Sequence, residues 1–403
     1  MAMDTWRKNL WLLVATQIVL RAAMSLIKPF LPLYLPEIGV TAVSEIAFWS
    51  GILSSINFVG QAIFSPVWGR LADRYGRKAM VVRSTVFIAV FNVILALVSN
   101  VYEMAVLRFI MGAMAGFNAA AIALVATTTP EEHLGYSLGM IQTGQMAGNI
   151  FGPALGGVLA GFWGYRGSFV AAGIMSLVMT FVIFFGVDED RNRLDAVTQE
   201  KTARRHGLRL LTNPGIAALF IVIIFAQFGL QSSDSLIPLY ISTIYHGNSL
   251  NFVVALAFAG PAVVNLFMAP VIGRWGDKNG NKSVLVFSLI GMGLVLLPQA
   301  VVSSAIWLII LRCLAGLFTG GVLPSVQALL GHMTVFELRG LIFGLAASAT
   351  AIGNFLGPMM GGVIASKAGI SPVFVFTGIG MFCAAVLVLG LARSFPNKLT
   401  GNK

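Results

Sequence analysis

The chain has 403 residues, of which 57% are hydrophobic and only 10% are charged. Soluble domains average about 25% charged residues, so this composition excludes an ordinary soluble protein and indicates one with many membrane-spanning segments. The formal charge of +11 would suit nucleic acid or anionic lipid as a partner, and the placement of the charges decides between them.

Twelve apolar runs along the chain are each long enough for a spanning α-helix, which needs about 20 residues. These predicted spans cover 9–35, 45–69, 79–99, 103–127, 136–161, 166–187, 214–243, 249–273, 283–302, 304–330, 340–365 and 371–392. We therefore predict an all-α membrane protein of two six-helix bundles, residues 1–187 and 214–403. The polar segment 188–213 is predicted to be a cytoplasmic linker.

The basic residues predict the orientation of these spans. If both ends of the chain lie on one side, that side receives 20 of the 26 lysines and arginines, including Arg83. The other side holds only Arg166 and Lys367, and four cations remain inside predicted spans. Because basic loops stay in the cytoplasm, both termini are predicted to be cytoplasmic. The basic excess then reflects topology, and we expect no nucleic-acid partner.

The two halves of the sequence repeat each other. The stretch "GRLADRYGRK" at 69–78 matches "GRWGDKNGNK" at 273–282, and "LRFIMGAMAG" at 107–116 matches "LRCLAGLFTG" at 311–320. Two further pairs have nearly the same offset, "GNIFGPALGG" with "GNFLGPMMGG" and "KPFLPLYL" with "DSLIPLYI". A parallel duplication of a six-helix unit places the substrate site near the midplane between the two units.

These motifs resemble those of the major facilitator superfamily over essentially the whole chain. Within it, "GQMAGNIFGPALGG" resembles the motif of the twelve-helix drug:proton antiporter family, and "LIKPFLPLYL" is most similar to bacterial Mdt-type multidrug exporters. The resemblance implies a proton-coupled exporter in the bacterial cytoplasmic membrane. It also implies gating residues in three places: the loop after span 2, the equivalent loop of the second half, and span 5. These are Gly69, Asp73, Arg74, Gly76, Arg77, Lys78, Asp277, Gly148, Gly152, Pro153, Gly156 and Gly157.

Each of these motifs has a plainer structural explanation beside the gating one. A carboxylate such as Asp73 can cap a helix N-terminus, or join a solvated turn held by local salt bridges. The glycines of span 5 allow two helices to approach closely, and Pro153 removes an internal hydrogen bond.

Ionisable side chains at bilayer depth are costly, so each is a candidate functional residue. Asp234 is the only carboxylate predicted to lie deep in a span. Four cations are predicted at similar depth: Arg21, Lys28, Arg108 and Arg312. Arg108 and Arg312 are equivalent in the repeat, and the resemblance implies proton coupling at Arg108. Either arginine could instead lie near a helix end and extend to the interface, and so could Lys28.

A polar face is predicted on each of spans 1 and 7. Arg21 and Lys28 lie almost two turns apart, and Lys28 and Asp234 occupy equivalent positions of the repeat with opposite charge. We predict that Lys28 and Asp234 pair when the cavity opens inward, and that protonation of Asp234 weakens the pair. The other predicted cavity residues are neutral: Asn118, Gln142, Gln145, Gln227 and Gln231.

Two functions are predicted, both of a transporter that acts as a monomer on a small molecule and protons. The first is efflux of drugs or amphipathic compounds. The alternative is transport of one anionic metabolite, such as a carboxylate siderophore, an organic acid or a phosphonate, which the deep arginines and lysine could bind. We expect no enzymatic activity, cofactor or metal, because no phosphate-binding loop or metal-ligand spacing occurs.

Overall fold

The computed structural model describes residues 5–189, 213–334 and 338–390 as a chain of helices. Most of the predicted linker at 188–213 lies outside this part of the protein. The principal helices are α1 (Thr5–Ile27), α2 (Val43–Tyr75), α3 (Arg77–Leu95), α4 (Val101–Ala113), α5 (Phe117–Thr128), α6 (Leu134–Gly186), α7 (Pro214–Ile244), α8 (Leu250–Asn279), α9 (Asn281–Gln299), α10 (Ala305–Met333), α11 (Arg339–Ala368) and α12 (Ser371–Gly390).

The first span changes from α-helix to 3₁₀-helix at Lys28, the outer of its two cations. α1 ends at Ile27, and a 3₁₀ turn follows at Lys28–Phe30, then one α-helical turn at Leu31–Tyr34 and a second 3₁₀ turn at Leu35–Ile38. Each of these turns has a proline at its first or second position, and proline supplies no backbone N–H for a regular helix. The predicted span 9–35 thus lies within one apolar helical stretch, Thr5–Ile38, whose helix type changes after Ile27.

Glycines with positive φ mark two further breaks in the helices, at Gly116 and Gly164. The fourth span is broken between α4 and α5, where Gly116 has φ +138°. α6 consists of two helices that meet at Gly164, whose φ of 69° and ψ of −179° are not helical. A side chain is strained at such φ values, so glycine is required at both breaks.

Eleven helical stretches within the described residues are long and apolar enough to cross a membrane, and α6 is the longest at 53 residues. Large apolar side chains also lie on the outside of the protein, where lipid would contact them. Phe162, Phe185 and Val301, for example, are 75–83% exposed. A bilayer explains this exposure, which would be costly in water.

The helices form two compact units. The first contains residues 5–41, 56–189 and 249–259, and its core is built mainly from α1, α3, α5 and α6. The second contains residues 42–55, 213–248, 260–334 and 338–390. The beginning of α2 thus belongs to the second unit and the beginning of α8 to the first, whereas the rest of each helix follows its own half of the sequence.

Equivalent helices of the repeat have equivalent neighbours inside the two units. α1 packs on the first part of α6 as α7 packs on α11, and α3 packs on α5 as α9 packs on α10. The duplication found in the sequence is therefore also a duplication of helix packing.

Candidate functional site

The glycines predicted as gating residues in span 5 form a line of close helix contacts. A Cβ atom at Gly148, Gly152 or Gly156 would meet the backbone carbonyl oxygen of Ile18, Ala22 or Leu26 in α1, each time four residues further along both helices. Ser25 Oγ lies in the same seam and donates a hydrogen bond to the Gly148 carbonyl at 3.1 Å. Only residues without side chains permit this approach of α6 to α1.

The fourth glycine of the motif faces a different helix. A Cβ at Gly157 would lie 2.6 Å from Ala255 Cβ and 3.0 Å from the Asn251 carbonyl oxygen, both on α8. Tyr165 lies just after Gly164, in the second part of α6, and its Oη donates to Asn251 Oδ1 at 3.1 Å. Pro153 is buried within the same helix.

The second unit repeats this arrangement at its own glycines. Gly353 and Gly357 on α11 approach the Ile224 and Phe228 carbonyls of α7, each at 2.7 Å from the Cβ position. Gly362, the equivalent of Gly157, faces Ala47 and Gly51 at the start of α2.

The loop motif is organised around a carboxylate that the sequence had placed at the edge of the linker. Glu189 accepts hydrogen bonds from the backbone N–H groups of Arg77 at 2.8 Å and Lys78 at 3.0 Å. It caps the N-terminus of α3, where the unpaired amides and the helix dipole favour a negative charge. Gly76 has φ +95°, and a Cβ there would lie 2.8 Å from Glu189 Oε2.

The sequence allows capping by Asp73 as an alternative to gating, but its side chain, like that of Asp277, lies outside the described part of the structure. Of the remaining loop residues, Arg77 Nη1 donates to the Ala123 carbonyl at 2.7 Å, and Gly69 lines the cavity described next. The guanidinium of Arg74 lies over the ring of Tyr75.

A cavity of about 450 Å³ lies within the first unit. Its described lining contains four cations, Arg21, Lys28, Arg77 and Arg83, and no aspartate or glutamate. The rest of the lining is apolar or neutral, and it includes Met24, Asn57, Phe58, Gln61, Trp68, Met80, Phe117, Asn118 and Asn149. Lys28 is exposed, whereas Arg21 is half-buried.

A network of side-chain amides holds the deeper cation of α1. Arg21 Nη2 donates to Gln145 Oε1 at 3.2 Å, and Gln145 Nε2 donates to Asn118 Oδ1 at 2.6 Å. The fully buried Gln17 also donates to Asn118 Oδ1, at 2.8 Å. These contacts join α1, α5 and α6, and they bring together three of the predicted cavity residues. Gln17 was missed by sequence reasoning, although it precedes Arg21 by one helical turn.

A second guanidinium lies at the break in the fourth span. The Cζ atom of Arg83 is 3.4 Å from the ring centroid of Trp68. Its Nη2 donates to Ser84 Oγ at 3.1 Å and reaches the carbonyls of Met114 and Ala115 at 3.4 Å. Trp68 Nε1 donates to the preceding carbonyl, that of Ala113, at 2.6 Å.

These contacts satisfy carbonyls that the helix break leaves without helical partners. They also place Arg83 on the wall of the cavity, and its predicted position on the cytoplasmic side of the membrane stays a prediction. The residue lies six positions inside α3, about 9 Å along the helix from Arg77.

In the second unit, the deep carboxylate is paired with a deep arginine. Asp234 Oδ1 on α7 lies 2.7 Å from Arg312 Nη2 on α10. Arg312 is 7% exposed and its partner's side chain is 35% exposed. The structure thus joins two of the predicted proton-coupling residues, and a pairing of Asp234 with Lys28 stays a prediction.

The other predicted residues lie on the expected helices. Arg108 is half-buried on α4, and Gln142 is exposed on α6. The Cβ atoms of Gln227 and Gln231 flank the close contacts at Gly353 and Gly357, on the seam between α7 and α11. Across the described residues, no group of three or more His, Cys, Asp or Glu side chains could hold a metal ion.

A duplicated bundle of membrane-spanning helices, with a cationic cavity in one unit and an ion pair between helices in the other, defines a polytopic membrane transporter. The sequence matches the profile of the Major Facilitator Superfamily over residues 13–259 and 219–402. The chain belongs to this superfamily of transporters, as its motifs predicted.

Its curated relatives include bacterial drug-resistance proteins. The chain is 35% identical over 393 residues to "Multidrug resistance protein MdtG" of Klebsiella pneumoniae (strain 342), covering 96% of this chain and 94% of the relative. The protein of the same name from Escherichia coli (strain SMS-3-5 / SECEC) is 36% identical over 384 residues, covering 94% and 93%. The predicted resemblance to Mdt-type exporters is confirmed, and the chain is a multi-pass protein of the bacterial inner membrane.

Solved structures share the fold at low sequence identity. A bacterial homologue of the human lysosomal transporter Spinster, inward-facing and occupied, aligns with a TM-score of 0.82 at 15% identity over 98% of both chains. A D-xylose–proton symporter aligns with a TM-score of 0.78 at 15% identity, over 96% of this chain and 97% of the symporter.

Proposed function

We propose that the protein exports drugs or other amphipathic small molecules in exchange for protons, by alternating access. The observation that carries the proposal is the similarity of nearly the whole chain to multidrug resistance proteins, combined with intact motifs in both halves. The protein needs no catalytic chemistry, cofactor or nucleic acid for this task, and one copy of the chain suffices.

The proposed topology has twelve spanning helices. A helix rises about 1.5 Å per residue, so the 53 residues of α6 would be far longer than the roughly 30 Å of the hydrocarbon. Counting its two parts on either side of Gly164 as separate spans gives twelve, with six in residues 1–187 and six in 214–403. The basic residues then place both termini and the linker at 188–213 in the cytoplasm.

Asp234 is proposed as the proton carrier. Its carboxylate is held by Arg312, and protonation would remove the charge that binds it there. The released guanidinium would then favour a different packing of α7 and α10, so that proton binding changes the conformational equilibrium. Arg108, the repeat equivalent of Arg312, is proposed to have a related role in the first half. Pairing of Asp234 with Lys28 is retained as a proposal for another state of the cycle.

The gating motifs are proposed to control access from the two sides of the membrane. Gly157 and Gly362 lie at contacts between helices from different halves of the sequence, so these contacts must change if the halves move relative to each other. The α3 cap formed by Glu189 holds the loop motif at the other end of the first bundle.

Accumulation of ethidium in bacteria that lack their own drug exporters tests this function. Cells expressing the wild-type protein should accumulate less dye than cells with an empty vector, and nigericin, which dissipates the pH gradient, should remove the difference. Equal accumulation in the two strains across a panel of cationic, neutral and anionic dyes, with the protein present in the membrane, would contradict export. The relatives give no support to the alternative of a transporter for one anionic metabolite.

A further inference from the structure

Two cations of the first unit's cavity, Arg21 and Arg83, have no acidic partner among the residues that the structure describes. The only described hydrogen bond of the Arg21 guanidinium is to the neutral amide of Gln145. Arg83 contacts a hydroxyl, two carbonyls and an indole ring, all of them uncharged. A guanidinium removed from water without a counterion is unfavourable, so such a site favours an incoming anion.

The hydrogen bonds that Arg83 makes at the break between α4 and α5 do not use all of its N–H groups. A guanidinium has five N–H groups, two of them on Nη2. Buried Nε and Nη1 carry the other three and have no hydrogen-bond partner among the described residues. Nη2 alone makes the contacts to the carbonyls at the break, at distances of 3.4 Å that leave them weak.

The lining around these cations suits a molecule that is only partly charged. Phe58, Trp68, Met80 and Phe117 supply apolar surface, and Asn57, Gln61 and Asn149 supply neutral donors and acceptors. Trp68 fixes the plane of the Arg83 guanidinium by stacking, so the orientation of its fork is set before any ligand arrives.

We infer that Arg83 and Arg21 form a recognition site for an oxyanion group, such as a carboxylate, on amphipathic cargo. The inference rests on the proposed export function and adds one class to its cargo: compounds with an apolar body and an anionic group. An anionic lipid headgroup has the same chemistry, and the test separates the two sources.

Binding to the purified full-length protein in detergent tests this site. Fluorescein carries a carboxylate, and its methyl ester has the same ring system without it. Fluorescence anisotropy compares the two at one mildly acidic pH, at which the ring hydroxyl is protonated and the carboxylate is the only anionic group. We expect wild type to bind fluorescein at least tenfold more tightly than the ester. The change Arg83→Gln should weaken fluorescein binding by roughly 10- to 100-fold, the range for a hydrogen-bonded charge, and leave ester binding within about threefold.

Two variants keep a folding defect from imitating this result. Lys367→Gln removes an exposed cation that is not part of this cavity, so it should retain the preference for fluorescein. Arg83→Lys keeps the charge without the fork and should recover only part of the affinity. Equal binding of fluorescein and ester by wild type, or equal losses of both in Arg83→Gln, would overturn the inference.

Lipid and transport measurements complete the test. Added phosphatidylglycerol should leave most fluorescein binding in place, and complete displacement at equimolar lipid would identify a headgroup site instead of a cargo site. Export of ethidium without any preference for fluorescein over its ester would overturn the cargo assignment and leave the proposed function standing. Failure to move any dye would instead contradict the proposed function.

Discussion

At the scale of single residues, the ion pair between Asp234 and Arg312 is the feature with the clearest energetic consequence. It joins α7 to α10 through a contact of 2.7 Å between Asp234 Oδ1 and Arg312 Nη2. A buried pair of this kind is weak evidence for added stability, but removal of one partner leaves the other charge uncompensated. Each of the two charges is therefore stabilised by the presence of the other.

The change Asp234→Asn should lower the stability of the protein. Loss of one partner from a fully buried pair costs about 3–5 kcal/mol. Because the Asp234 side chain is 35% exposed, we expect a smaller loss, roughly 1–3 kcal/mol, visible as a lower unfolding temperature in detergent. The double variant with Arg312→Gln should be more stable than the sum of the single changes implies. Strict additivity would show that the two side chains do not interact.

The sequence was sufficient to select both members of this pair, but not to pair them. Asp234 and Arg312 were each conspicuous as charges in apolar runs, whereas the partner of Asp234 was sought through the repeat and taken to be Lys28. A repeat gives equivalent positions and carries no information about which neighbours touch. Arg83 was missed as part of the cavity wall for a related reason, since a cation just inside a helix start looks like part of a basic loop. Its distance of about 9 Å from Arg77 along α3 was the available signal.

At the scale of the helices, glycines control how closely neighbours approach and where spans break. The i, i+4 spacing of Gly148, Gly152 and Gly156 matches the same spacing of carbonyls on α1. This contact could be anticipated from sequence because small residues four apart predict a close helix interface. Its partner helix could not, because spacing on one helix does not specify what it faces.

Alanine at Gly152 should disrupt this seam. The added Cβ would lie 2.7 Å from the Ala22 carbonyl oxygen and collide with Ser25 Oγ. We expect a loss of about 1–3 kcal/mol in stability from overpacking, with a matching loss of dye export. Gly161→Ala is the matched control on α6, because nothing lies within 4 Å of its Cβ position. Tolerance of both changes, measured by unfolding temperature and ethidium export, would argue against the close contact.

Gly164 tests the boundary between the two parts of α6. Its φ of 69° with ψ of −179° is a conformation that side chains disfavour by about 1–3 kcal/mol. Gly164→Ala should therefore lower the unfolding temperature, although its Cβ would meet nothing within 4 Å. The strain is in the backbone and not in packing, so Gly164→Ala should be worse than Gly161→Ala. The same unfolding temperature for both would mean that residues 134–186 form one regular helix.

At the scale of the whole molecule, the chain is a duplicated transporter whose halves have diverged in charge. The spans could be predicted almost completely from hydropathy, because the bilayer sets both the length and the polarity of a spanning helix. What remained beyond prediction were breaks and caps: the proline-dependent end of α1, the break at Gly116, and the capping of α3 by Glu189. These depend on local backbone geometry and on contacts between residues distant in sequence.

Reporter fusions should establish the proposed topology. Alkaline phosphatase is active only outside the cytoplasm, so a fusion after Gly164 should be active and a fusion after Lys403 should be inactive. Green fluorescent protein should give the opposite pattern. An active phosphatase at Lys403 would contradict a cytoplasmic C-terminus and the count of twelve spans derived with it.

Proton-driven transport in proteoliposomes tests the central claim most directly. With protein inserted inside-out and the lumen made acidic, wild type should drive ethidium into the lumen against its concentration gradient as protons leave. Asp234→Asn should abolish this accumulation while dye exchange without a pH gradient continues. Wild-type protein that moves dye at the same rate with and without the gradient, or an Asp234→Asn variant with full proton-driven accumulation, would contradict the account.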